Sequence, residues 1–490
     1  MSVPRPTGTP LKTLPLEAFQ APSAQGYALL PFRFAPIPTG EYLLTNIVGE
    51  YILLHRTDLT ALITHKLPMH SPIYDLLKSK HFLLDGASSV ALDLLAAKYR
   101  TKLASLSSFT GLHIVVPTLR CNSSCVYCQV SSQSPERTKY DMTEQIADRV
   151  VEFIFRSPSQ SLKVEFQGGE PLLNFPILQR IVERTSQLNS ARKRDIEFVV
   201  CTNLTLLTQE MITYIREHNL LVSTSLDGPA DLHNHNRPGR SKPTHDTVVR
   251  NIRMLQEAIG LSRVSALMTT TRASLDQPER IIDEYVRLGF RSIFLRILNP
   301  YGRAASPDAY SVEEWLRFYS RALDHILHLN YNGLSFREEY TAIILRKMLT
   351  PYGTGFVDLQ SPAALGIGVL VYDYDGNVYP SDESRMLAAM GDSAFLLGNL
   401  LHDSYQQIVC SDKLVALVRD TMLEGVPQCA DCPLLAFCGA DPVRHYRLQG
   451  DLIGHKPTSE FCKKNMEIMY GLIHLIEHDA GASPVLYSWL

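Results

Sequence analysis

Three cysteines of this 490-residue chain lie close enough together to hold one metal cluster. Cys121, Cys125 and Cys128 form the pattern C-x₃-C-x₂-C, and Tyr127 stands directly before the last cysteine. Thiolates are the usual ligands of iron–sulfur clusters, and an electron-transfer [4Fe-4S] cluster is held by four of them. Because three thiolates would leave one iron open to a cosubstrate, the spacing predicts a cluster that takes part in chemistry rather than three inert buried thiols.

A second cysteine group lies in the last hundred residues and consists of Cys429, Cys432, Cys438 and Cys462. Four thiolates can bind a closed iron–sulfur cluster or a tetrahedral zinc ion, and the residues alone leave both metals open. The two remaining cysteines, Cys201 and Cys410, are expected to be packing residues.

The elements that must position the first cysteine group lie between about residues 111 and 300, where short apolar segments alternate with segments of helical period. Strands are predicted at 113–118, 162–166, 197–201, 220–225, 264–268 and 292–297. Apolar strands separated by helices form βαβ units and a parallel sheet. Six units are too few for a closed eight-stranded barrel, so we expect an open one with its chemistry at the C-terminal ends of the strands.

The second predicted strand is followed by Gly168, Gly169, Glu170 and Pro171. Glycines let the backbone approach a ligand closely, and Pro171 suits the first turn of a helix. Backbone groups oriented at such a turn can hold a polar ligand. Such turns are often purely structural, but the position one βα unit after the cysteines favours a ligand site.

The cysteine spacing and this Gly-Gly-Glu-Pro turn resemble the radical S-adenosylmethionine (SAM) superfamily. The resemblance implies that the first cysteine group holds a [4Fe-4S] cluster whose open iron binds SAM. It also implies that reductive cleavage of SAM yields a 5′-deoxyadenosyl radical that abstracts hydrogen from a substrate. The SAM-binding residues that the resemblance implies are Gly168, Gly169, Glu170, Thr202, Asn203, Ser225 and Arg237.

Arg237 matches an arginine that contacts the SAM carboxylate in this superfamily, a pairing that suits a forked guanidinium group. The alternative is a solvated loop arginine. His233 and His235 are expected to be loop residues rather than metal ligands, because no carboxylate or third histidine accompanies them at ligand spacing. Asp227 and Gly228 belong either to the SAM pocket or to a simple turn.

The C-terminal cysteine group resembles the SPASM extension of peptide-modifying radical SAM enzymes, which include the anaerobic sulfatase maturases. Beside a radical SAM core, this favours one auxiliary [4Fe-4S] cluster over zinc. Pro442 and Ser381 stand where the extension normally has further cysteines, so we expect a reduced domain with one closed cluster. Asp382 lies where sulfatase maturases place a carboxylate that accepts a proton, and the alternative is an exposed loop acid.

The first hundred residues predict a hairpin from 42–46 and 51–55, a helix capped by Thr57 or Asp58, and a second helix over 73–84. This order resembles a winged-helix-like module that holds a leader peptide by strand addition. The alternative is a packing extension of the barrel.

Composition excludes several classes of protein. The net charge of −3, with 20% charged residues, gives no basis for a nucleic-acid or membrane-surface partner. No segment has the length of a transmembrane helix, and residues 1–19 lack the apolar region of a signal peptide. Nine cysteines, mostly in two groups, indicate metal ligands in a reducing compartment, so we expect a cytoplasmic protein.

Across its length the chain resembles the His-Xaa-Ser system radical SAM maturases. The resemblance implies an enzyme that cleaves SAM reductively, takes electrons from an external one-electron reductant and modifies a ribosomally made partner peptide or small protein. The alternatives are oxidation of a Ser or Cys side chain, as in sulfatase maturases, and a non-catalytic zinc-knuckle scaffold that binds a peptide.

The expected fold class is α/β, with a partial (β/α)₆ radical SAM barrel between an N-terminal α+β module and a C-terminal iron–sulfur domain. The expected segments are the module (1–105), the core (106–310), a helical connector (311–355) and the SPASM-like domain (356–490).

Overall fold

The computed structural model describes residues 26–86, 89–107, 109–240, 242–305 and 310–490. The chain forms two compact units. The first comprises residues 1–103, 348–353 and 427–437, and the second comprises residues 104–347, 354–426 and 438–490. The segment 1–25, which includes the residues behind the expectation of no signal peptide, lies outside the described residues.

The first unit contains a small α+β fold. Its strands are β1 (Tyr27–Leu29), β2 (Phe32–Pro36), β3 (Tyr42–Asn46), β4 (Tyr51–Leu54) and β5 (Leu83–Asp85). Its helices are α1 (Arg56–Ile63), α2 (Pro72–Ser79) and α3 (Val90–Lys102). β2, β3 and β4 form an antiparallel sheet in that order, and β1 pairs antiparallel with β5. The predicted hairpin is therefore confirmed as β3 and β4, and Gly49 supplies a φ of +83° in its turn.

Two details of the predicted module are wrong. The helix expected over 73–84 ends at Ser79, because His81 adopts a φ of +56° and the following residues pair with β1 as β5. α1 begins at Arg56 after an N-cap at His55, so Thr57 and Asp58 lie inside the helix.

The segment 427–437 belongs to the same unit and packs on this small fold. Nε of Arg33 donates a hydrogen bond to the Ala430 carbonyl at 2.5 Å. The buried Thr45 hydroxyl donates to the Pro433 carbonyl, also at 2.5 Å. The small fold therefore supports the loop that carries the first two C-terminal cysteines.

The strands that follow are β6 (Leu112–Thr118), β7 (Ser161–Gly168), β8 (Asp195–Thr202), β9 (Leu221–Ser225), β10 (Val264–Thr269), β11 (Ser292–Ile293), β12 (Leu295–Arg296), β13 (Arg337–Glu338), β14 (Val369–Tyr372), β15 (Asn377–Tyr379) and β16 (Gly398–Asn399). The helices that follow are α4 (Glu144–Ile154), α5 (Phe175–Arg192), α6 (Gln209–Glu217), α7 (Ala230–Asn236), α8 (His245–Ile259), α9 (Pro278–Arg287), α10 (Val312–Tyr331), α11 (Glu339–Leu349), α12 (Asp382–Ala389), α13 (Tyr405–Val409), α14 (Asp412–Asp420), α15 (Pro442–Gln449), α16 (Glu460–His478) and α17 (Ala482–Tyr487).

The central sheet of the second unit has the strand order β12-β10-β9-β8-β7-β6-β14-β15-β16. β6 to β10 and β12 are parallel to their neighbours, so the predicted parallel α/β core is confirmed. The centres of these strands are apolar and buried, as Val164 and Val200 are, which is typical of parallel strands that alternate with helices. Their carboxyl ends meet at one edge, where the first cysteine group follows β6.

The sheet departs from the prediction at both edges. The expected sixth strand, 292–297, is split, because β11 pairs with β13 whereas β12 pairs with β10. At the other edge β14 adds to β6 in parallel, and β15 and β16 follow antiparallel. This addition places Ser381 and Asp382, which follow β15, in the same unit as the core. No helix in the described residues combines the length and apolar character that crossing a bilayer requires.

Candidate functional site

The loop that carries the first cysteine group leaves β6 and is fixed by its backbone. The Cys121 N–H donates to the Gln133 carbonyl at 2.9 Å. Further along the loop, the Val126 N–H donates to the Asn236 carbonyl at 2.9 Å. The loop is thus held against the end of α7 rather than left in solvent.

The thiols of this loop lie in a protected environment. Burial raises the pKa of Cys121 to about 12, and the Glu170 carboxylate acts in the same direction. Burial also raises the pKa of Cys125, but the positive charge of Arg237 opposes that shift. A metal takes the place of the thiol proton, so a bound cluster would stabilise these groups as thiolates.

The Gly-Gly turn after β7 packs directly on the strand end that leads to Cys121. Gly168 has a φ of +115°, and the Gly169 N–H donates to the Thr118 carbonyl at 2.9 Å. A Cβ atom on Gly169 would lie 2.1 Å from the carbonyl oxygen of Arg120. Only glycine fits there, because backbone meets backbone without room for a side chain.

The carboxylate of Glu170 is fully buried and holds the end of β8. It accepts hydrogen bonds from the Thr202 hydroxyl at 2.6 Å and from the Asn203 N–H at 2.8 Å. Burial raises the pKa of Glu170, and these two bonds oppose the shift. The side chain therefore acts through Thr202 and Asn203, which it fixes beside the turn.

Asn203 in turn reaches the cysteine loop. Its Nδ2 donates to Oδ1 of Asn122 at 2.9 Å and lies 3.9 Å from Sγ of Cys121. The structure thus brings together the residues expected from the first three strands.

A buried charged group joins the remaining expected residues. Oδ2 of Asp227 lies 3.1 Å from Nε of Arg237 and 2.7 Å from the Tyr127 hydroxyl. The Arg237 side chain is 13% exposed, so the alternative of a solvated loop arginine is wrong. Ser225 ends β9, two residues before Asp227. From the sequence, Asp227 could be either a SAM-pocket residue or a turn residue. The only sequence signal for its pairing with Arg237 is that the two residues have opposite charges.

The two histidines lie in α7 rather than in a loop, which corrects that expectation. His233 is fully buried, and its Nδ1 accepts a hydrogen bond from the Asp227 N–H at 3.4 Å. Burial lowers the pKa of His233 to about 4, so the ring is neutral at pH 7.

The residues around the first cysteine group fit an iron–sulfur cluster with bound SAM. All nine cysteines lie within the described residues, and none forms a disulfide. The buried Nδ2 of Asn236 has no hydrogen-bond partner among the described residues, and Arg237 supplies a positive charge for an anionic group. In the described parts of the chain, no three His, Cys, Asp or Glu side chains converge on a single metal ion. A [4Fe-4S] cluster does not require this, because each cysteine binds a different iron.

A cavity of about 920 Å³ lies within the second unit. Gln167, which directly precedes the Gly-Gly turn, lines it together with Asp382 at the start of α12. The other charged residues that line it are Lys163, Glu165, Arg296, Arg337, Glu339, Arg346, Asp358, Glu383, Asp441, Arg444, Glu460 and Lys464. The cavity is thus continuous between the turn and the expected proton acceptor.

Asp382 is not an exposed loop acid, because its side chain is 12% exposed and its Oδ1 accepts a hydrogen bond from Nε of Arg385 at 3.1 Å. Its neighbour Glu383, which the sequence did not single out, also lines the cavity. Burial, with the charges of Asp358 and Asp382, raises the pKa of Glu383 to about 8. The cavity therefore places Asp382 beside a carboxylic acid that is mostly protonated at pH 7.

Cys201 lies within β8, as expected of an inert packing residue, whereas the packing role expected of Cys410 is wrong. Sγ of Cys201 donates to Oε1 of Glu165 at 3.1 Å, and burial raises its pKa well above the usual value. Cys410 is exposed.

The four C-terminal cysteines are distributed over both units. Cys429 and Cys432 belong to the first, where the Cys432 N–H donates to the Cys429 carbonyl at 3.1 Å and closes a tight turn. Cys438 and Cys462 belong to the second. The Lys347 ammonium donates to the Cys438 carbonyl at 2.5 Å, and burial raises the Cys438 pKa against the opposing charge of Lys347. A shared cluster on all four stays a prediction.

Comparison with known proteins agrees with this geometry. A family model of the radical SAM superfamily matches residues 115–284. The cysteine-type anaerobic sulfatase-maturating enzyme of Clostridium perfringens is 30% identical over 331 residues, which are 65% of this chain and 84% of that enzyme. The radical SAM cyclopropyl synthase TigE of Paramaledivibacter caminithermalis is 28% identical over 155 residues, 29% of this chain and 31% of that one.

Two solved structures share the fold. One is anSMEcpe with bound AdoMet, at a TM-score of 0.64 and 17% identity, covering 74% of this chain and 98% of that chain. The other is Streptococcus suis SuiB bound to the precursor peptide SuiA, at a TM-score of 0.51 and 15% identity, covering 87% of this chain and 98% of that chain.

Proposed function

Because the chain belongs to the radical SAM superfamily, we propose that it cleaves SAM reductively and modifies a ribosomally made peptide or small protein. Cys121, Cys125 and Cys128 would hold the [4Fe-4S] cluster. With SAM bound, the reduced cluster would supply the electron for SAM cleavage, which is the chemistry that activates a substrate C–H bond. The residues that would bind and orient SAM are Gly168, Gly169, Glu170, Thr202, Asn203, Ser225 and Arg237.

The observation that carries this proposal is the cavity that Gln167 and Asp382 both line. A substrate side chain in the cavity would lie between the SAM-binding turn and a carboxylate. Nε of Arg385 donates a hydrogen bond to that carboxylate, which fixes the orientation of Asp382. Asp382 is therefore our candidate for the group that accepts a proton from the substrate.

Glu383 has a different role from Asp382. Its pKa of about 8 keeps a proton on the side chain at neutral pH, so it can donate a hydrogen bond to a substrate carbonyl or hydroxyl. Glu383 would thus hold the substrate while Asp382 accepts a proton from it.

The choice of substrate follows from similarity rather than from the cavity. The relatives and neighbours include enzymes named for sulfatase maturation and cyclopropyl synthesis, and SuiB is bound to a precursor peptide. They support a peptide or protein substrate, and the proposal that it is of the His-Xaa-Ser type rests on the resemblance of the sequence alone. Oxidation of a Ser or Cys side chain is the second candidate, which the similarity to the sulfatase-maturating enzyme favours.

The remaining parts of the proposal concern electron supply and docking. Cys429, Cys432, Cys438 and Cys462 would hold one auxiliary [4Fe-4S] cluster between the active site and a one-electron reductant, with zinc as the alternative. The small α+β fold of the first unit would hold a leader peptide. The proposed segments are the N-terminal module (1–105), the core (106–310), the helical connector (311–355) and the SPASM-like domain (356–490). A reducing compartment such as the cytoplasm suits both clusters.

Anaerobic assay with two peptides tests the proposal. The reconstituted and reduced protein would be incubated with SAM and either a peptide of His-Xaa-Ser repeats or a sulfatase-derived Ser or Cys peptide, and the products would be analysed by mass spectrometry. A mass change only in the repeat peptide supports the first candidate, and an oxidised Ser or Cys in the other peptide supports the second. SAM cleavage without change in either peptide contradicts both.

A further inference from the structure

The cysteine loop is joined to the expected SAM-binding arginine through a buried carboxylate. Tyr127 lies on the loop, Asp227 follows β9 and Arg237 follows α7. Asp227 is 0% exposed, and its two carboxylate oxygens lie 2.9 and 2.7 Å from the Tyr127 hydroxyl. We propose that Asp227 is a positioning residue that fixes Tyr127 and Arg237 together and offsets the positive charge beside the cluster.

Nε of Arg237 donates a hydrogen bond to Oδ2 of Asp227 at 3.1 Å, which fixes the plane of the guanidinium group. The centre of that group also lies 5.1 Å from the centroid of the Tyr127 ring. The Asp227 carboxylate thus fixes the positions of both side chains. The guanidinium group of Arg237 is therefore already oriented before the carboxylate of a ligand binds.

Asp227 is itself held by two neighbouring elements. Its N–H donates to Nδ1 of His233, and its Oδ1 accepts a hydrogen bond from the Thr269 N–H at 3.3 Å. These contacts come from α7 and from the end of β10, so the carboxylate cannot turn away from the loop. A carboxylate that only closed a turn would need no partner on the cysteine loop.

The charges of Asp227 and Arg237 balance each other. A buried carboxylate is costly unless a cation compensates it, and here the cation is Arg237. The converse also holds, because without Asp227 a buried guanidinium would stand unbalanced close to Cys125. A positive charge near an iron–sulfur cluster stabilises its reduced form, so Asp227 would keep the cluster at a more negative potential.

The test uses the anaerobically reconstituted full chain and needs no peptide, so its outcome does not depend on the proposed substrate. Asp227→Asn keeps the size of the side chain and removes its charge. We expect unchanged iron content, a SAM dissociation constant raised at least about tenfold in equilibrium dialysis, and a midpoint potential shifted to a less negative value in an EPR-monitored titration.

Two further variants complete the experiment. Asp231, in the first turn of α7, forms an exposed ion pair with Arg280 of α9, so Asp231→Asn should change neither quantity. Tyr127→Phe removes one hydrogen bond but keeps the ion pair, so it should weaken SAM binding to a smaller extent and leave the potential unchanged. If Asp227→Asn loads iron and matches the wild type in both affinity and potential, the inference is overturned. If Asp227→Asn does not fold, unchanged SAM affinity in Tyr127→Phe overturns it instead.

Discussion

Asp382 is held by Arg385, its neighbour one turn further along α12. Oδ1 of Asp382 accepts a hydrogen bond from Nε of Arg385 at 3.1 Å, and the Arg385 side chain is 0% exposed whereas that of Asp382 is 12% exposed. The cation therefore lies beneath the carboxylate, and the carboxylate faces the cavity. This arrangement suits a group that must stay charged and oriented until it accepts a proton.

Replacement of Asp382 by Asn should separate substrate chemistry from SAM binding. Asn cannot accept the proton, so we expect the rate of peptide product formation to fall at least about 100-fold. The affinity for SAM should stay unchanged. The measurement is product formation by mass spectrometry beside equilibrium dialysis with SAM. Asp412→Asn is the matched control, because Asp412 also follows a serine N-cap at the start of a helix but is exposed. Wild-type product formation by Asp382→Asn would contradict the role.

Glu383 should make the stability of the protein depend on pH. Its pKa is raised from 4.5 to about 8 in the folded protein, so between these values the unfolded chain loses a proton that the folded chain retains. The contribution of Glu383 to the free energy of unfolding therefore falls as pH rises through that window. Glu383→Gln should be relatively more stable than the wild type at pH 8.5 than at pH 5, measured by anaerobic thermal unfolding. A difference that does not change with pH would contradict the shift.

Replacement of Gly169 by Ala should displace the cysteine loop. The added Cβ would lie 2.1 Å from the Arg120 carbonyl oxygen and 2.5 Å from that of Leu119, and neither backbone can move without moving Cys121. We expect loss of the SAM-dependent change in the EPR spectrum and reduced iron content. Gly471→Ala is the control, since nothing lies within 4 Å of the Cβ that it would add. A Gly169→Ala protein with full iron and normal SAM binding would show that the turn is not part of the site.

The hydrogen bond between Thr45 and Pro433 should stabilise the first unit. Thr45→Val keeps the shape of the side chain but leaves a buried carbonyl without its donor, which costs about 1–3 kcal/mol. Anaerobic urea unfolding monitored by fluorescence would measure this loss. Thr60→Val is a suitable control, because Thr60 is exposed and its hydroxyl donates to the Arg56 carbonyl of its own helix. Equal stability of both variants would contradict the expected contribution.

The parts of the fold that could be predicted from sequence are those in which local pattern and tertiary structure agree. The strands β6 to β10 were found because apolar runs such as 113–118 are bounded by turns and buried on both faces. The addition of β14 beside β6 could not be predicted, since it joins segments more than 250 residues apart by backbone pairing that no side-chain pattern announces. The split of 292–297 likewise depends on the distant β13.

The candidate site shows the same division. The cysteines and the Gly-Gly turn were recognisable because their chemistry depends on residue type and spacing. The sequence could not single out Glu383, and it could not decide whether Asp227 lines the SAM pocket or closes a turn, since an acid in a loop becomes functional only through what surrounds it. Burial of Glu383 in the cavity and the pairing of Asp227 with Arg237 are tertiary facts. Residue type alone also misplaced Cys410, which is exposed rather than packed.

The most direct test of the account is iron, sulfide and zinc analysis of the anaerobically reconstituted protein, combined with an assay for 5′-deoxyadenosine. We expect about eight irons per chain in the wild type, about four in the Cys121→Ala/Cys125→Ala/Cys128→Ala variant, and SAM cleavage only in the wild type. About four irons with one zinc would make the C-terminal cysteines a structural zinc site. Wild-type protein that binds no iron, or that carries iron but cleaves no SAM when reduced, would contradict the account.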